Sequence, residues 1–259
     1  MNFVSDLFSL KDKVAAVIGG GGVLAGTMAT GLARAGADVA ILDLNLASAQ
    51  KMAASLKEFG IKTMAIQVNA TSKADIESAA TEIANTLGPA TILINAPGIN
   101  SSTPFFEITE EEYDKIMAVN LKSMVLACQV FGKQIIDKGL HGSVINISSA
   151  SSGPPLSKVF TYSVSKAGVN NLTQWLANEW AKKGIRVNAI APGFFPAEQN
   201  RKILTNERVA DIMRHTPMNR FGEAEELVGA TVWLASEKAS SFVTGAIIRV
   251  DGGYTAKTI

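Results

Sequence analysis

Short apolar segments alternate along the chain with longer segments of helical periodicity. The predicted strands are 13–18, 39–42, 63–68, 91–94, 143–147, 185–190 and 246–250. The predicted helices are 23–35, 46–59, 73–87, 110–136, 162–183 and 223–235. The strands are apolar throughout rather than alternating, as expected when helices cover both faces of a sheet. We therefore predict a single α/β domain over 1–259, with a doubly wound parallel sheet of about seven strands.

A run of glycines, 19–22, separates the first strand from the first helix, and Gly36 is placed to cap that helix. Glycine lets the backbone approach a pyrophosphate, and a helix N-terminus offers free N–H groups. The segment 20–25 fits the pattern G-x-G-x-x-[GA]. A tight turn that needs glycine only for its geometry is the alternative. Because the pattern falls between a strand and a helix, we favour nucleotide binding.

Asp43 closes the second strand, at the position where a carboxylate can accept hydrogen bonds from the adenosine ribose. The same charge would repel a 2′-phosphate. The alternative is an Asp that only caps the next helix, and the two roles are compatible. We therefore predict NAD as the preferred cofactor over NADP.

Tyr162 and Lys166 are four residues apart at the start of a predicted helix, so they lie on one face. A neighbouring cation favours the ionised form of a phenol, which predicts a lowered pKa for Tyr162. Such a tyrosine can exchange protons with an alcohol or carbonyl oxygen. Ser149, after the strand 143–147, could hold the same oxygen. The alternative is a surface Tyr–Lys pair.

Composition and charge narrow the function classes. The net charge is +1 and the hydrophobic content 47%, which fits a folded core and gives no sign of a nucleic-acid or membrane surface. Cys128 is the only cysteine, and the two histidines, His141 and His215, form no cluster that predicts a metal site. No apolar run spans a bilayer and no signal-peptide core precedes the first strand. We expect a cytoplasmic protein that acts on a small molecule.

Together, the glycine turn, Asp43 and the set Ser149, Tyr162 and Lys166 resemble the short-chain dehydrogenase/reductase family over 13–253. Further matching segments are 95–98, 119–121, 186–193, 221–223, 243–245 and 250–253. The resemblance implies a Rossmann fold and an NAD-dependent oxidoreductase that interconverts a secondary alcohol and a ketone. It also implies a homo-oligomer, by analogy a homotetramer.

The resemblance implies a role for each matching residue. Tyr162 would be the general acid/base, and Lys166 would lower its pKa and hold the nicotinamide ribose. Ser149 would fix the substrate oxygen, and Asn120 would hold a water that links Lys166 to solvent. Cofactor contacts are expected at Gly19, Gly21, Gly22, Leu24, Asp43, Asn69, Ala70, Asn95, Gly98, Tyr162, Lys166, Pro192 and Gly193.

The chain departs from the family pattern at three places. In the glycine turn, Val23 and Ala25 stand where the family pattern has glycines, and valine resists a positive φ. We therefore expect the left-handed residue of the turn to move to Gly21 or Gly22. Pro97 replaces a residue that is usually alanine, and Ala197 replaces a threonine that contacts the carboxamide in many members.

The segments 194–201 and 215–222 resemble the sugar-acid members of the family, such as D-mannonate oxidoreductases and gluconate dehydrogenases. A substrate lid is expected at about 194–220. Arg201 is the predicted partner of a substrate carboxylate, with Lys158 as the alternative. Two other functions stay open: a reductase of another carbonyl, such as a 3-oxoacyl thioester or a steroid, and a nucleotide-binding protein without turnover.

Overall fold

Seven parallel strands form one sheet in the order β3-β2-β1-β4-β5-β6-β7. A computed structural model describes residues 3–196 and 205–256 of the chain. The strands are β1 Val14–Ile18, β2 Asp38–Asp43, β3 Thr63–Gln67, β4 Ile92–Asn95, β5 Gly142–Ile147, β6 Ile185–Pro192 and β7 Ile247–Val250. All seven predicted strands are present, which confirms the predicted parallel α/β sheet.

Helices connect the strands and cover both faces of the sheet. Those in the described ranges are α1 Phe3–Leu7, α2 Val23–Arg34, α3 Leu46–Leu56, α4 Lys73–Thr86, α5 Glu110–Met117, α6 Ser123–Asp137, α7 Phe160–Trp180, α8 Asn206–His215, α9 Val228–Ala235 and α10 Glu237–Ser240. Short 3₁₀ segments are Lys57–Phe59, Phe105–Glu107, Ala150–Ser152, Ala181–Lys183, Ala224–Leu227 and Tyr254–Ala256. Gly36 follows α2 with φ of +100°, in line with its predicted role as a cap.

The core consists of two apolar layers, one on each face of the sheet. β1 contributes to both, because its side chains alternate between a layer with Val17 and a layer with Ile18. All five residues of β1 are buried, which explains why the central strands are apolar throughout. The strand order reverses between β1 and β4, which pair with Ile18 opposite Asn95. The carboxyl ends of these two strands therefore border the crevice in which such sheets bind ligands.

The predicted helix 110–136 is wrong in one respect, because a π-helical turn over Ala118–Lys122 separates α5 from α6. A π turn accommodates an additional residue and so changes which side chains face the core. It places Asn120 at full burial, with its side-chain amide bonded to the backbone of Ile99. Apolar periodicity could not show this, because the segments on either side are each regular.

Three helices lie where the sequence predicted none: α1, α8 and α10. The most important for function is α8, which occupies part of the expected lid at 194–220. No helix in the described ranges is both long enough and apolar enough to cross a membrane.

Candidate active site

A cavity of about 640 Å³ opens at the carboxyl ends of β1, β4, β5 and β6. The wall combines residues that are far apart in sequence, because neighbouring parallel strands end at the same edge of the sheet. The predicted site residues that line it are Gly19, Gly22, Leu24, Gly98, Ser149, Tyr162, Lys166, Pro192 and Gly193. The structure thus brings the predicted Ser–Tyr–Lys set and the glycine turn into one cavity.

Ser149, Tyr162 and Lys166 are held by β5 and α7. Ser149 precedes the 3₁₀ turn that follows β5, and its hydroxyl accepts a hydrogen bond from Ser151 N at 3.2 Å. Tyr162 lies in the first turn of α7 and Lys166 one turn later, as the spacing predicted. The Lys166 ammonium donates to Ile147 O at 2.8 Å and lies 5.7 Å from the centre of the Tyr162 ring.

Burial dominates the electrostatics of this set. It raises the pKa of the Tyr162 phenol above its usual value of 10.0, and the Ser149 hydroxyl offsets part of the rise as a hydrogen-bond partner. Burial lowers the pKa of Lys166 from 10.5 to about 8. The prediction of a lowered pKa for Tyr162 is therefore wrong for this arrangement. The physical reason is that withdrawal from water outweighs the neighbouring ammonium, whose hydrogen bond goes to a backbone carbonyl.

Asn120 links the π turn to two segments that border the site. Its amide nitrogen donates to Ile99 O at 2.9 Å and to Ser165 Oγ at 3.0 Å, and its oxygen accepts from Ile99 N at 2.8 Å. A Cβ added at Gly98 would lie 3.6 Å from Lys166 Nζ and 3.8 Å from Asn120 Oδ1. Asn120 thus lies behind the part of the wall that Gly98 and Lys166 form.

The glycine turn fits a pyrophosphate group. Gly22 is the N-cap of α2 and makes no side-chain capping bond, and the next three residues, Val23, Leu24 and Ala25, all line the cavity. The first N–H groups of a helix have no partner within it, so this end favours an anion. The first turn of α2 therefore suits the pyrophosphate of a dinucleotide.

The expected shift of the left-handed residue to Gly21 or Gly22 is wrong. Gly19 has φ of +76°, whereas Gly22 is extended with φ of −78°. Val23 begins α2 and has an ordinary helical conformation, so its side chain meets no backbone strain. The branched residue is accommodated because the left-handed turn ends before it.

Asp43 is fixed by the backbone on both of its oxygens. One oxygen accepts from Gly21 N and the other from Asn45 N, both at 2.9 Å. A Cβ at Gly21 would lie 2.9 Å from the first of these oxygens, so only glycine allows this approach. Gly21 therefore orients Asp43 and is not itself among the described residues that line the cavity. Asn69 and Ala70 follow β3, next to Val68, whose N–H donates to Asp43 O at 2.9 Å.

Five further predicted contacts are not among the described residues that line the cavity: Asp43, Asn69, Ala70, Asn95 and Lys158. Asn95 is fully buried, and its amide donates to Asn146 Oδ1 at 2.9 Å, so its side chain joins β4 to β5. Lys158 is exposed on the loop before α7 and has a positive φ of 69°. Arg201 and Ala197 lie outside the described residues.

For the other half of the cavity, the sequence predicted a lid at about 194–220 but did not identify the residues that line the wall. Its apolar part includes Leu156, Val159, Phe194 and Phe221. Arg208, on α8, adds a half-buried cation to this wall. A signal was present, since Thr205 caps α8 by accepting from Arg208 N, and Ile212 follows Arg208 at i+4 on the same face.

Comparison with known proteins places this arrangement in a family. The family described as enoyl-(acyl carrier protein) reductase matches residues 22–255. The gluconate 5-dehydrogenase of Gluconobacter oxydans is 34% identical, over 96% of this chain and 97% of its own.

Two solved structures are similar over nearly their whole length. A putative D-mannonate oxidoreductase from Haemophilus influenzae with bound NAD superposes with a TM-score of 0.92 at 35% identity, covering 98% of this chain and 99% of its own. A gluconate 5-dehydrogenase from Burkholderia cenocepacia in complex with NADP and tartrate superposes with a TM-score of 0.93 at 32% identity. The match covers 98% of this chain and 100% of the other. With the match over most of the chain and the Ser149, Tyr162 and Lys166 set in one cavity, the chain belongs to the short-chain dehydrogenase/reductase family of oxidoreductases.

Proposed function

We propose that the protein is an NAD-dependent oxidoreductase that interconverts the secondary alcohol and the ketone of a sugar acid, such as D-mannonate and D-fructuronate, or gluconate. The observation that carries the proposal is the cavity in which Ser149, Tyr162 and Lys166 lie beside the uncapped start of α2. The similarity of the chain to gluconate and mannonate oxidoreductases supports a sugar acid as the substrate class.

A bound nicotinamide supplies the hydride donor or acceptor, so the chain has to position the carbinol carbon and move one proton. Tyr162 is the acid/base: the raised pKa keeps its phenol protonated near neutral pH, which suits donation to a ketone oxygen. In the oxidation direction the phenol must first lose that proton, so oxidation is favoured at higher pH. Ser149 binds the same substrate oxygen.

Lys166 holds the nicotinamide ribose, and Asn120 holds a water that connects Lys166 to solvent. Support for the first role comes from the position of Lys166 on the cavity wall, one helical turn from Tyr162. Support for the second is the burial of Asn120 directly behind Gly98 and Lys166. Of the other expected contacts, Gly19, Gly22, Leu24, Gly98, Pro192 and Gly193 line the same cavity.

Asp43 makes NAD the preferred cofactor over NADP. Both of its oxygens are fixed by backbone N–H groups, so its charge cannot turn away from an incoming 2′-phosphate. Relatives of similar sequence bind either dinucleotide: one has NAD and another NADP. The preference therefore rests on the geometry of Asp43 and on repulsion between like charges.

The test is turnover of a panel of hexonates and ketohexonates with NAD(H) and NADP(H), together with a 3-oxoacyl thioester. Efficient and selective turnover of a sugar acid with NAD is the expected result. Reduction of the thioester alone would support the alternative carbonyl reductase. Binding of NAD without turnover of any substrate would favour a nucleotide-binding protein.

We further propose a homotetramer in the cytoplasm. The long helices of the family form its subunit contacts, and α7 exposes Phe160, Val164 and Trp175 along its length. Exposed apolar side chains grouped on one helix favour burial against another chain. Light scattering would measure the mass, and a monomer at micromolar concentration would contradict the tetramer.

We also propose that the segment 194–220 covers the substrate. Its described part contributes Phe194, Arg208 and Ile212 to the cavity wall, which supports this assignment.

A further inference from the structure

Arg208 is distinguished by its charge among the described residues on the cavity wall. Lys166 is the other cation among them, and none of them is acidic. Lys166 donates a hydrogen bond to Ile147 O beside the Tyr162 ring, and its proposed ligand is the nicotinamide ribose. A ligand carboxylate next to Arg208 would therefore be attracted by the guanidinium, and no acidic residue of the described wall would repel it.

Arg208 lines the cavity next to the loop that precedes α7, the helix of Tyr162. Its guanidinium donates from Nη1 to Ser157 Oγ at 3.1 Å, and Ser157 belongs to the loop that enters α7. Leu156 and Val159 of the same loop line the cavity. Arg208 therefore lies beside the loop that leads into Tyr162, and its guanidinium is held by that loop.

The guanidinium also retains capacity for a ligand. An arginine has five N–H donors, and in the described part of the chain the Arg208 guanidinium makes one hydrogen bond and no ion pair. Two other arginines of the same region are already paired: Arg214 with Asp211 at 2.7 Å, and Arg220 with both oxygens of Glu226. The planar fork of a guanidinium matches the two oxygens of a carboxylate.

We propose that Arg208 binds the carboxylate of the substrate and so determines the preference for sugar acids over neutral polyols. This inference rests on the proposed function, and it differs from the sequence prediction, which gave the role to Arg201. The carboxylate end of the sugar acid lies against α8, while the reacting carbinol lies at Tyr162 and Ser149. Arg208 is a specificity residue that contacts the unreactive end of the substrate.

The test compares Arg208→Met and Arg208→Lys with the unmodified protein on a sugar acid and on its neutral alditol. Loss of a charged hydrogen bond predicts that kcat/KM for the acid falls about tenfold to a hundredfold in Arg208→Met, mostly through KM. The kcat/KM for the alditol should change by less than about threefold, and so should the KM for NAD, because neither compound uses the carboxylate contact. Arg208→Lys keeps the charge but loses the planar fork of the guanidinium. Its kcat/KM for the acid should lie between the values of Arg208→Met and the unmodified protein.

Two control variants separate this role from a structural one. Ser157→Ala removes the hydrogen bond to the guanidinium but leaves the charge, and should keep the preference for the acid. Arg214→Met removes a cation from the same helix that already pairs with Asp211, and should also keep it. If Arg208→Met lowers turnover of acid and alditol equally, or if Ser157→Ala reproduces the whole loss, Arg208 only supports the loop and the inference is overturned.

The outcome for the unmodified protein keeps the two proposals apart. If it turns over no hexonate or ketohexonate, the proposed function fails before any variant is compared. If it turns over a sugar acid and Arg208→Met is unchanged, the proposed function stands and the assignment of Arg208 fails. Arg201→Met, measured in parallel, would then show whether the carboxylate contact belongs to Arg201.

Discussion

Replacing Lys166 by methionine should remove a pH-dependent part of the free energy of unfolding. Lys166 is buried, and burial lowers its pKa from 10.5 to about 8. Between these two values the unfolded chain binds a proton that the folded protein has released. Stability therefore rises with pH in this window, and the cost of burying the charge is present in full below about pH 8.

The magnitude follows from the two pKa values. Full burial of the charge at pH 7 costs about 3 kcal/mol, because each pKa unit corresponds to about 1.36 kcal/mol. Between pH 7 and pH 9.5 most of that cost disappears, and the free energy of unfolding of the unmodified protein should gain about 2 kcal/mol from this group. Lys166→Met, which has no ammonium, should lack that gain.

The assay is urea unfolding of both proteins at pH 7 and pH 9.5, at one protein concentration and ionic strength. The quantity to compare is the change of each protein between the two pH values. Burial raises the pKa of Cys128 to about 12, so this thiol makes stability fall above its unfolded pKa. Cys128 is present in both proteins, and its contribution cancels in the comparison.

Lys182→Met is the matched control, since Lys182 is an exposed lysine at the end of the same helical segment. It should keep the pH dependence of the unmodified protein. If Lys166→Met shows the same gain between pH 7 and pH 9.5 as the unmodified protein, the buried ammonium does not destabilise the fold by this amount. If Lys182→Met loses the gain as well, the effect is not specific to the buried site.

Three further predictions concern catalysis, cofactor choice and packing. Tyr162→Phe should lower kcat at least about a hundredfold while the Kd for NAD, measured by calorimetry, stays within about threefold; a kcat above about a tenth of normal would remove Tyr162 from the acid/base role. Asp43→Ala should lower the ratio of kcat/KM with NAD to kcat/KM with NADP. Equal kcat/KM for the two cofactors in the unmodified protein would refute the preference for NAD. Gly132→Ala should destabilise the protein by about 1–3 kcal/mol in urea unfolding, because its Cβ would overlap the Trp180 ring. Gly229→Ala, in a helix with open space around this position, should be neutral or stabilising by up to about 1 kcal/mol.

The sheet could be predicted because each strand carries its own signal. β1 and β4 are short apolar segments bounded by glycine or polar residues. Both of their faces are buried, so each strand is identified by a continuous apolar run. Gly36 could be assigned as a cap for a similar local reason, since a left-handed residue after a helix favours glycine. These features depend on a few neighbouring residues, so one sequence is enough to find them.

The electrostatics of the site could not be predicted in this way. The spacing of Tyr162 and Lys166 correctly indicated a shared face, yet the direction of the Tyr162 pKa shift was wrong. That direction depends on how much water the fold excludes, which is decided by residues distant in sequence. Arg208 was missed for a related reason, because its value as a site residue comes from the cavity that α8 completes and not from its neighbours in the chain.

Asn120 shows how local sequence and tertiary structure combine to support the site. The π turn at Ala118–Lys122 leaves α5 and α6 regular, so its advantage must lie in where it directs one side chain. That side chain holds both the N–H and the C=O of Ile99 and also contacts Ser165, the residue before Lys166. One buried amide therefore joins the segment after β4 to the helix that carries Tyr162. A π turn is a less regular helix, and its position in this chain is explained by the three hydrogen bonds that it makes possible at the edge of the cavity.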